Sequence, residues 1–517
     1  MRRLNGPQTT GRDFRELSVP QHEIAEDFDV AAPMRDGTDL MVDVLRPDAP
    51  GRFPALVAAS PYPRQIQNLG LPLGFVEAGA SDFWVPGGYV HVLANERGTG
   101  GSGGEYGFFD TQWRRDMHDL VEWTAAQPWC DGNVGMIGIS GFAMSQVAAA
   151  VERPDHLRAI FPVAVTVDVM EAAWHGGLLS STFIGAWLAG VANMAGAKGS
   201  LFRGRLARAA KRLLRSGPVH SRLEHFNGEA ALSVLGKLMP SSYPPHPWNE
   251  LYLAAAVEHQ TRDEWWEERN IPPLMGGIEV PVYLGCDWDN VPLHLPSTFL
   301  ALRSLPQGLP VRVALMEHGL IWPWESLHVE ALAWFDHWLK GRETGVMDGP
   351  PIRYELGGEW YASETWPPDG VEPAEWPLEE RSYVYAPPGV RSGGEPETAV
   401  WDWELSSPLD VTGAPELHLD AEITGSEVAW IATLQDVSPD GKATDVTAGW
   451  LRSSLGSVVR LVDTGHRFAA GHRLRLVLAS EDGDDKPAMM GFKHAPLGIP
   501  SRNTIRSTSR LLLPQKS

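Results

Sequence analysis

The sequence predicts three parts: an α/β domain with a mainly parallel sheet, a helical segment inserted into that domain, and a C-terminal β-sandwich. Up to residue 340, short apolar runs alternate with helical stretches, as in sheets covered by helices on both faces. Between residues 165 and 272 the pattern changes to helices alone. After a Gly- and Pro-rich junction near residue 350, short strands separated by turns are typical of an antiparallel sandwich.

The length of the chain agrees with this division. A chain of 517 residues is too long for one core and suggests about three domains of roughly 150 residues each. We expect the α/β domain at residues 1–164 and 273–345, the helical cap at 165–272 and the sandwich, of jelly-roll type, at 350–517.

Local signals define the elements in order. A turn at residues 35–38 predicts an N-terminal hairpin. Apolar runs predict buried strands at 55–59, 89–94, 134–139, 159–164, 280–285 and 311–316. Residues 113–127 and 326–340 carry helical apolar faces, the second ended by Gly341. In the cap, residues 173–196 and 204–216 are predicted as helices without strands between them, and residues 439–441 predict a sandwich turn.

Composition limits the class of protein. The net charge of −22 argues against a nucleic-acid or anionic-membrane partner. The N-terminus lacks the apolar segment of a cleaved signal, and no apolar run reaches the roughly 18 residues of a membrane span. We therefore expect a soluble cytoplasmic protein. Two cysteines, Cys130 and Cys286, form neither a disulfide framework nor a zinc site. Without a metal or phosphate-loop motif, no cofactor and no metal are expected.

One stretch, VGMIGISGFAMSQVAAAVE at 134–152, indicates a nucleophile. It is typical of a strand, a tight turn that carries Ser140, and a helix. Gly138 and Gly141 would let the backbone turn without a Cβ clash, and the helix N-terminus would present N–H groups to developing negative charge. The match to G-x-S-x-G is incomplete because the fifth position is Phe142, and the motif alone also fits an ordinary strand-to-helix turn.

Two later loops offer the other members of a catalytic triad. Serine acyl transfer needs a base within hydrogen-bond reach and an acid that orients the base. In α/β-hydrolases the three groups occur in the chain order Ser, acid, His, and the acid and the histidine lie on loops that follow strands. The first loop, GCDWDN, offers Asp287 and Asp289, and the second, MEHG, offers His318. The long interval between Ser140 and these loops fits an inserted cap.

Further motifs stand in a distinctive order: MRDGTDLMVDVLRP, SPYPR, ERGTGGSGGEY, QPWCDGNVGMIGISG, RPDHLRAIFP, GCDWDN, MEHG, AWFDHWLKG, LDVTGAPELHLDAE, LQDVSPDGKA and AGHRLRL. With them the chain resembles the family of bacterial cocaine esterase and X-prolyl dipeptidyl peptidase over nearly its whole length. The resemblance implies an α/β-hydrolase domain, a helical cap and a C-terminal jelly-roll. Members of that family often self-associate, and whether this chain forms a homodimer stays open.

The resemblance also implies roles for individual residues. Ser140 would be the nucleophile, His318 the base and Asp289 the acid, with Asp287 as the competing acid. The oxyanion hole would consist of the Tyr62 hydroxyl and the Gly141 backbone N–H. His294 is a weaker candidate for the base, and His328 and His337 are expected to serve in packing or at the surface.

The chain departs from the family beside the nucleophile, and these departures concern the substrate. Gly141 and Ala143 stand where the family usually has Tyr and Gly, which should open or reshape the pocket. Aromatic pocket walls are expected from Phe142, Trp174 and Trp187, with packing of the cap core as the alternative for the two tryptophans. Glu317, next to the base, is expected to point to solvent.

The predicted function is hydrolysis of an ester, or an amide, of a small acyl or aryl substrate through an acyl-enzyme. A dipeptidyl peptidase or amino-acid ester hydrolase remains an alternative, with Glu171, Glu224 or Glu229 as partner of a substrate ammonium. An acyltransferase on the same scaffold is a second alternative. A third is a non-enzymatic chain whose sandwich binds a sugar or another protein.

Overall fold

The computed structural model describes residues 9–67, 76–196, 213, 246–317, 323–387, 389, 392–454, 457–483 and 493–516, except the side chains of 323–326. His318, Glu224, Glu229 and most of the helix predicted at 204–216 lie outside these residues.

The N-terminal two thirds of the described chain is organised on one large sheet. Its first twelve strands are β1 (Ile24–Pro33), β2 (Asp39–Pro47), β3 (Phe53–Ser60), β4 (Val90–Asn95), β5 (Cys130–Ile139), β6 (Leu157–Val163), β7 (Trp174–His175), β8 (Leu178–Leu179), β9 (Val282–Asp287), β10 (Val311–Met316), β11 (Ile352–Leu356) and β12 (Glu359–Ser363). All except β7 and β8 form one sheet of order β1-β2-β4-β3-β5-β6-β9-β10-β11-β12. Strands β3 to β6 and β9 to β11 are parallel to one another, whereas β2 and β12 pair antiparallel at the two ends of this parallel region. The sequence-based fold class, an α/β-hydrolase domain with a C-terminal sandwich, is confirmed.

The helices follow the predicted pattern. In the described residues they are α1 (Arg64–Gln67), α2 (Ser81–Trp84), α3 (Thr111–Ala125), α4 (Gly141–Glu152), α5 (Val169–Ala173), α6 (Leu188–Ala195), α7 (Trp248–Leu253), α8 (Glu264–Glu268), α9 (His294–Ser304) and α10 (Pro323–Lys340). Helix α3 begins where the Asp110 side chain accepts from the Trp113 N–H at 2.8 Å, an N-cap. Helix α10 ends before Gly341, which has a φ of 66° suited to glycine. None of the described helices is long and apolar enough to cross a membrane.

One expectation for the cap is wrong. The stretch 173–196 was predicted as helix without strands, but β7 and β8 pair as a short hairpin. Its turn is Gly176-Gly177, with φ values of 53° and 86°. A Cβ on Gly176 would lie 2.0 Å from the carbonyl oxygen of Trp450, so the turn packs directly on sandwich backbone. The helical pattern alone did not reveal that two adjacent glycines favour a turn here.

The C-terminal region is a sandwich of short antiparallel strands. These are β13 (Val371–Pro377), β14 (Arg381–Tyr385), β15 (Ala399–Glu404), β16 (Leu409–Gly413), β17 (Glu416–His418), β18 (Ala421–Ile423), β19 (Val428–Val437), β20 (Ala443–Ser453), β21 (Val458–Arg460), β22 (Thr464–Phe468), β23 (Arg473–Ala479), β24 (Ser501–Ile505) and β25 (Arg510–Lys516). One sheet has the order β21-β17-β25-β16-β22 and another β15-β23-β19-β20. The predicted 439–441 turn joins β19 to β20. The domain boundary expected at 350 stays a prediction, while β11 and β12 beyond it pair with the large sheet.

Two groups of contacts illustrate how the sandwich and its linker are joined to the rest of the molecule. On one side, the Trp288 indole N–H donates to the Glu355 carbonyl at 3.0 Å, and its ring stacks 5.5 Å from that of Trp366. On the other side, a buried chain of hydrogen bonds runs from Asp482 through His494 to His175 of the cap, at 2.9 and 2.8 Å. Both interfaces are therefore specified by polar groups as well as by apolar packing.

Candidate active site

The turn between β5 and α4 holds Ser140 in a strained conformation. Its φ of 54° and ψ of −117° are rarely adopted by residues other than glycine. The Ser140 N–H donates to the Val163 carbonyl at 3.0 Å, and the Ser140 carbonyl accepts from the Ala143 and Met144 N–H groups. These bonds fix the serine at the end of the strand, at the helix N-terminus.

The close packing around the serine restricts which residue can stand at position 138. Gly138 has a φ of 143°, and a Cβ there would lie 2.1 Å from the Cβ of Phe142. Glycine is therefore required at position 138. Phe142, which replaces the glycine of the common motif, is 1% exposed, and its ring lies 6.0 Å from that of Tyr62.

A side chain that the sequence did not indicate holds the Ser140 turn together. The Gln146 amide group donates to the carbonyls of Gly138 and Phe142 at 3.0 and 3.1 Å and accepts from the Phe161 N–H at 2.8 Å. It thus joins the strand before the turn, the helix after it and the neighbouring strand. A single glutamine in an Ala-rich helix carries no sequence signal for such a role.

Tyr62 lies against the nucleophile. A Cβ on Gly141 would lie 3.3 Å from Cε2 and 3.5 Å from the hydroxyl oxygen of Tyr62, so the phenol packs on the first residue of α4. The Ser140 side chain lies close enough to the Tyr62 hydroxyl to lower its pKa, against the larger effect of burial. The Gly141 N–H belongs to the first turn of α4, and the backbone N–H groups of a first helical turn have no acceptor within the helix. The structure therefore brings together Ser140, Gly141, Tyr62 and Phe142.

The environment keeps Tyr62 protonated. Burial, followed by the nearby carboxyl group of Glu77, holds the pKa of Tyr62 well above its ordinary value. Its backbone is fixed by Ser60 Oγ, which accepts from the Tyr62 N–H, and by the Asn95 amide, which donates to its carbonyl. A neutral phenol of this kind can donate a hydrogen bond.

Two buried carboxyl groups near the tyrosine were not predicted. The Glu77 carbonyl accepts from the N–H of Ile139, immediately before the nucleophile, at 3.1 Å. Burial raises the pKa of Glu77 to about 8. Glu96, which is 1% exposed, has its pKa raised to about 8 for the same reason. Isolated glutamates in short loops give no sequence indication of burial.

The loop after β9 separates the two candidate acids. Asp287 is 3% exposed, and its Oδ1 accepts from the backbone and side-chain N–H groups of Asn290 at 3.0 and 2.6 Å. Asp289 is exposed. Between the two aspartates, the backbone N–H of Trp288 donates to the Met316 carbonyl. The residue predicted as the acid thus lies on the outside of the loop, and its competitor on the inside.

Of the four histidines considered from the sequence, the structure describes three. His318 lies outside the described residues. His294 is buried against the Thr166 hydroxyl at 3.0 Å, and burial lowers its pKa to about 3. His328 is buried against Phe83, also with a pKa lowered to about 3 by burial, and His337 contacts the Arg342 carbonyl. Each of these three histidines is in contact with a neighbouring side chain or backbone carbonyl.

The neighbour of His318 does not point to solvent as expected. The Glu317 carboxylate accepts from the backbone N–H groups of Gly357, and of Gly358 at 2.9 Å. It therefore caps the turn between β11 and β12, because those two glycine N–H groups converge beside the loop.

The predicted pocket residues occupy different places. The Trp187 indole N–H donates to the Tyr62 hydroxyl at 2.9 Å, so Trp187 belongs to the site. Trp174 is 8% exposed and donates to the Ala255 carbonyl at 2.9 Å inside the cap. Glu171 lines a separate cavity of about 300 Å³ between the cap, α9 and the sandwich, and Trp450 is among its other lining residues.

The remaining candidate groups have no reactive arrangement. Cys130 and Cys286 are both buried as free thiols, and burial raises the pKa of each. Within the residues that the structure describes, no group of three or more His, Cys, Asp or Glu side chains could hold a metal ion.

Comparison with known families identifies two matching regions. The family described as X-Pro dipeptidyl-peptidase (S15 family) matches residues 36–328. The X-Pro dipeptidyl-peptidase C-terminal non-catalytic domain matches residues 344–487.

Individual relatives agree with these matches. The chain is 26% identical to a cocaine esterase of Rhodococcus sp. over 88% of its length and 90% of that protein. It is 23% identical to a putative Xaa-Pro dipeptidyl-peptidase of Bacillus anthracis over 68% of its length and 57% of that protein. A CocE/NonD family hydrolase from Staphylococcus aureus has the same fold, with a TM-score of 0.73, 18% identity and coverage of 95% and 94% of the two chains. An alpha-amino acid ester hydrolase has a TM-score of 0.69 at 18% identity, covering 98% and 99%.

Proposed function

The chain belongs to the X-Pro dipeptidyl-peptidase (S15) family of serine hydrolases, and we propose that it cleaves an ester of a small acyl or aryl group through Ser140. The observation that carries the proposal is the contact between the strained Ser140 and the neutral, buried Tyr62 hydroxyl. A nucleophile at a helix N-terminus beside a fixed donor suits a reaction that develops negative charge on a carbonyl oxygen.

The proposed steps combine the positions of Ser140, Gly141 and Tyr62 with the role that the sequence motif predicts for His318. Ser140 attacks the carbonyl carbon while His318 takes the serine proton. The oxyanion accepts hydrogen bonds from the Tyr62 hydroxyl and the Gly141 N–H. His318 then donates the proton to the leaving group, whose departure gives the acyl-enzyme. Water, activated by the same histidine, hydrolyses that intermediate.

For the acid that orients His318, we propose Asp287 rather than Asp289, the choice favoured from the sequence. An acid that stabilises an imidazolium acts best when it is buried and held by hydrogen bonds. Asp287 meets both conditions, because it is 3% exposed and accepts two hydrogen bonds from Asn290. Asp289 is exposed.

A serine-directed label tests the nucleophile. The wild type and Ser140→Ala are treated with a fluorophosphonate, and the adducts are counted by intact mass. We expect one adduct on the wild type and none on the variant, with ester hydrolysis abolished in the variant. No adduct on a wild type shown to be folded, or unchanged activity of Ser140→Ala, would contradict the proposal.

A substrate panel tests the leaving group. We expect p-nitrophenyl esters of short acyl and benzoyl groups to be hydrolysed with higher kcat/KM than X-Pro p-nitroanilides. Preference for an anilide with a free N-terminal ammonium would instead identify a dipeptidyl peptidase. Transfer of the acyl group to an added alcohol in preference to water would identify an acyltransferase.

A further inference from the structure

The cap contributes a hydrogen bond to the tyrosine of the oxyanion hole. Trp187 is the last residue of a π-helical turn, Thr182–Trp187, that runs into α6. Its indole N–H donates to the Tyr62 hydroxyl oxygen at 2.9 Å. π-helical turns are rare and frequently occur at functional sites, because they redirect a side chain that a regular helix would place elsewhere.

The direction of this bond is fixed by chemistry. An indole N–H can only donate, so the Tyr62 oxygen is the acceptor. The phenol proton is therefore left for another acceptor. The Ser140 side chain, beside which the substrate carbonyl would bind, also lies near this hydroxyl. The bond to Trp187 thus selects the rotation of the O–H group that faces the reaction.

We propose that Trp187 is a positioning residue of the oxyanion hole, which orients the Tyr62 hydroxyl toward the developing oxyanion and makes it a better donor. A hydroxyl that accepts a hydrogen bond donates more strongly, because neighbouring hydrogen bonds polarise one another. The proposal rests on the proposed hydrolase function and gives Trp187 a role beyond that of an apolar wall.

The indole itself is held by aromatic rings on both sides of the cap boundary. The Trp187 ring stacks 6.0 Å from that of Phe109 and 5.2 Å from that of Phe183, with interplanar angles of 21° and 27°. Phe183 comes from the same π-helical turn, whereas Phe109 comes from the α/β domain. The position of the indole therefore depends on both parts.

The segment that carries Phe109 is strained and braced. Phe108 and Phe109 have φ values of 51° and 65°, unfavourable for bulky residues. The buried Arg269 donates to the carbonyls of Phe108 and Gly107 at 3.0 and 3.2 Å and holds this conformation. Backbone strain persists where the surroundings enforce it, often at functional sites. Here it keeps a ring against the indole.

The test removes the N–H group while keeping an aromatic ring. Trp187→Phe is compared with Trp266→Phe, a matched control in which a buried indole, 1% exposed, donates to the His259 carbonyl at 2.6 Å. On a p-nitrophenyl ester, we expect kcat of Trp187→Phe to fall about tenfold or more with KM within about threefold, since complete loss of an oxyanion donor costs about 10²–10³. The control should stay within about twofold.

A double-mutant cycle separates positioning from packing. Without the phenol hydroxyl there is nothing to orient, so Trp187→Phe should change kcat less than about twofold in a Tyr62→Phe background. If Trp187→Phe lowers kcat equally in both backgrounds, or changes KM without changing kcat, the proposal is overturned. If Trp187→Phe does not fold by circular dichroism, Phe109→Leu takes its place, with a smaller loss of kcat that must also vanish without the hydroxyl.

The fluorophosphonate label distinguishes failure of this inference from failure of the proposed function. If Trp187→Phe still forms the adduct and matches the Trp266→Phe control in kcat, only the positioning role is excluded. If the wild type forms no adduct, the proposed hydrolase mechanism fails, and the positioning role fails with it.

Discussion

At the scale of single residues, the acid loop presents two aspartates with opposite surroundings. We expect Asp287→Asn to lower kcat about 10⁴-fold, the loss typical when the acid no longer sets the histidine tautomer. Asp289→Asn should stay within about threefold, because its side chain is exposed. Steady-state ester hydrolysis by the two variants measures this, with circular dichroism as the folding control. The reverse pattern would restore Asp289 as the acid.

The buried Glu96 side chain should make the stability of the protein depend on pH. Burial raises its pKa from an ordinary value of 4.5 to about 8, so between these values the folded protein holds a proton that the unfolded chain has lost. Its contribution to stability is therefore present in full below pH 4.5 and decreases as the pH rises toward 8. Glu96→Gln removes this decrease.

We expect the free energy of unfolding of Glu96→Gln, relative to wild type, to rise between pH 5.5 and 7.5 by roughly 1 kcal/mol per pH unit, near the 1.4 kcal/mol limit for one proton. Urea unfolding followed by fluorescence at several pH values measures the difference. Glu359→Gln, at an exposed position, is the control and should show no slope. A flat difference for Glu96→Gln would mean that this carboxyl group does not hold a proton in the folded state.

At the scale of elements, the nucleophile turn depends on Gln146. Gln146→Met keeps the volume and removes three hydrogen bonds to Gly138, Phe142 and Phe161. We expect a loss of about 2–3 kcal/mol in unfolding free energy, as buried backbone groups lose partners, together with slower fluorophosphonate labelling. Gln127→Met, which removes one bond to the Trp123 carbonyl, is the control. Unchanged labelling of Gln146→Met would show that the turn holds its shape without this side chain.

The sequence could predict elements whose signals are local and regular. The buried strands, α3, α10 and the turn at residues 439–441 have periodicity or turn residues that act within a few positions. The hairpin β7–β8 was not predicted, because it depends on a turn at two adjacent glycines that lie inside an apolar pattern typical of a helix. In the candidate site, motif and resemblance indicated Ser140 and Tyr62. Gln146, Glu77 and Phe109 act through contacts with distant segments, which no local pattern encodes.

At the scale of the whole molecule, Trp288 connects the acid loop with the sandwich and its linker. Its ring stacks on Trp366 and Phe299, and a Cβ on Gly465 would lie 2.6 Å from it. We expect Trp288→Ala to cost about 3–5 kcal/mol and to uncouple the domains. Scanning calorimetry should show one transition for the wild type and two for the variant. Trp376→Ala, which loses packing on Trp403 within the sandwich, should keep one. A single unshifted transition for Trp288→Ala would contradict this coupling.

The buried chain from Asp482 through His494 to His175 also has a consequence for synthesis on the ribosome. The cap is translated well before the residues that fasten it. Domains generally fold from the N-terminal side as they emerge, at roughly 5–20 residues per second. At this rate the 319 residues from His175 to His494 take roughly 15 to 65 seconds, and during that interval the cap face that packs on the sandwich is uncovered. Chaperones that recognise nascent chains have their opportunity to bind there.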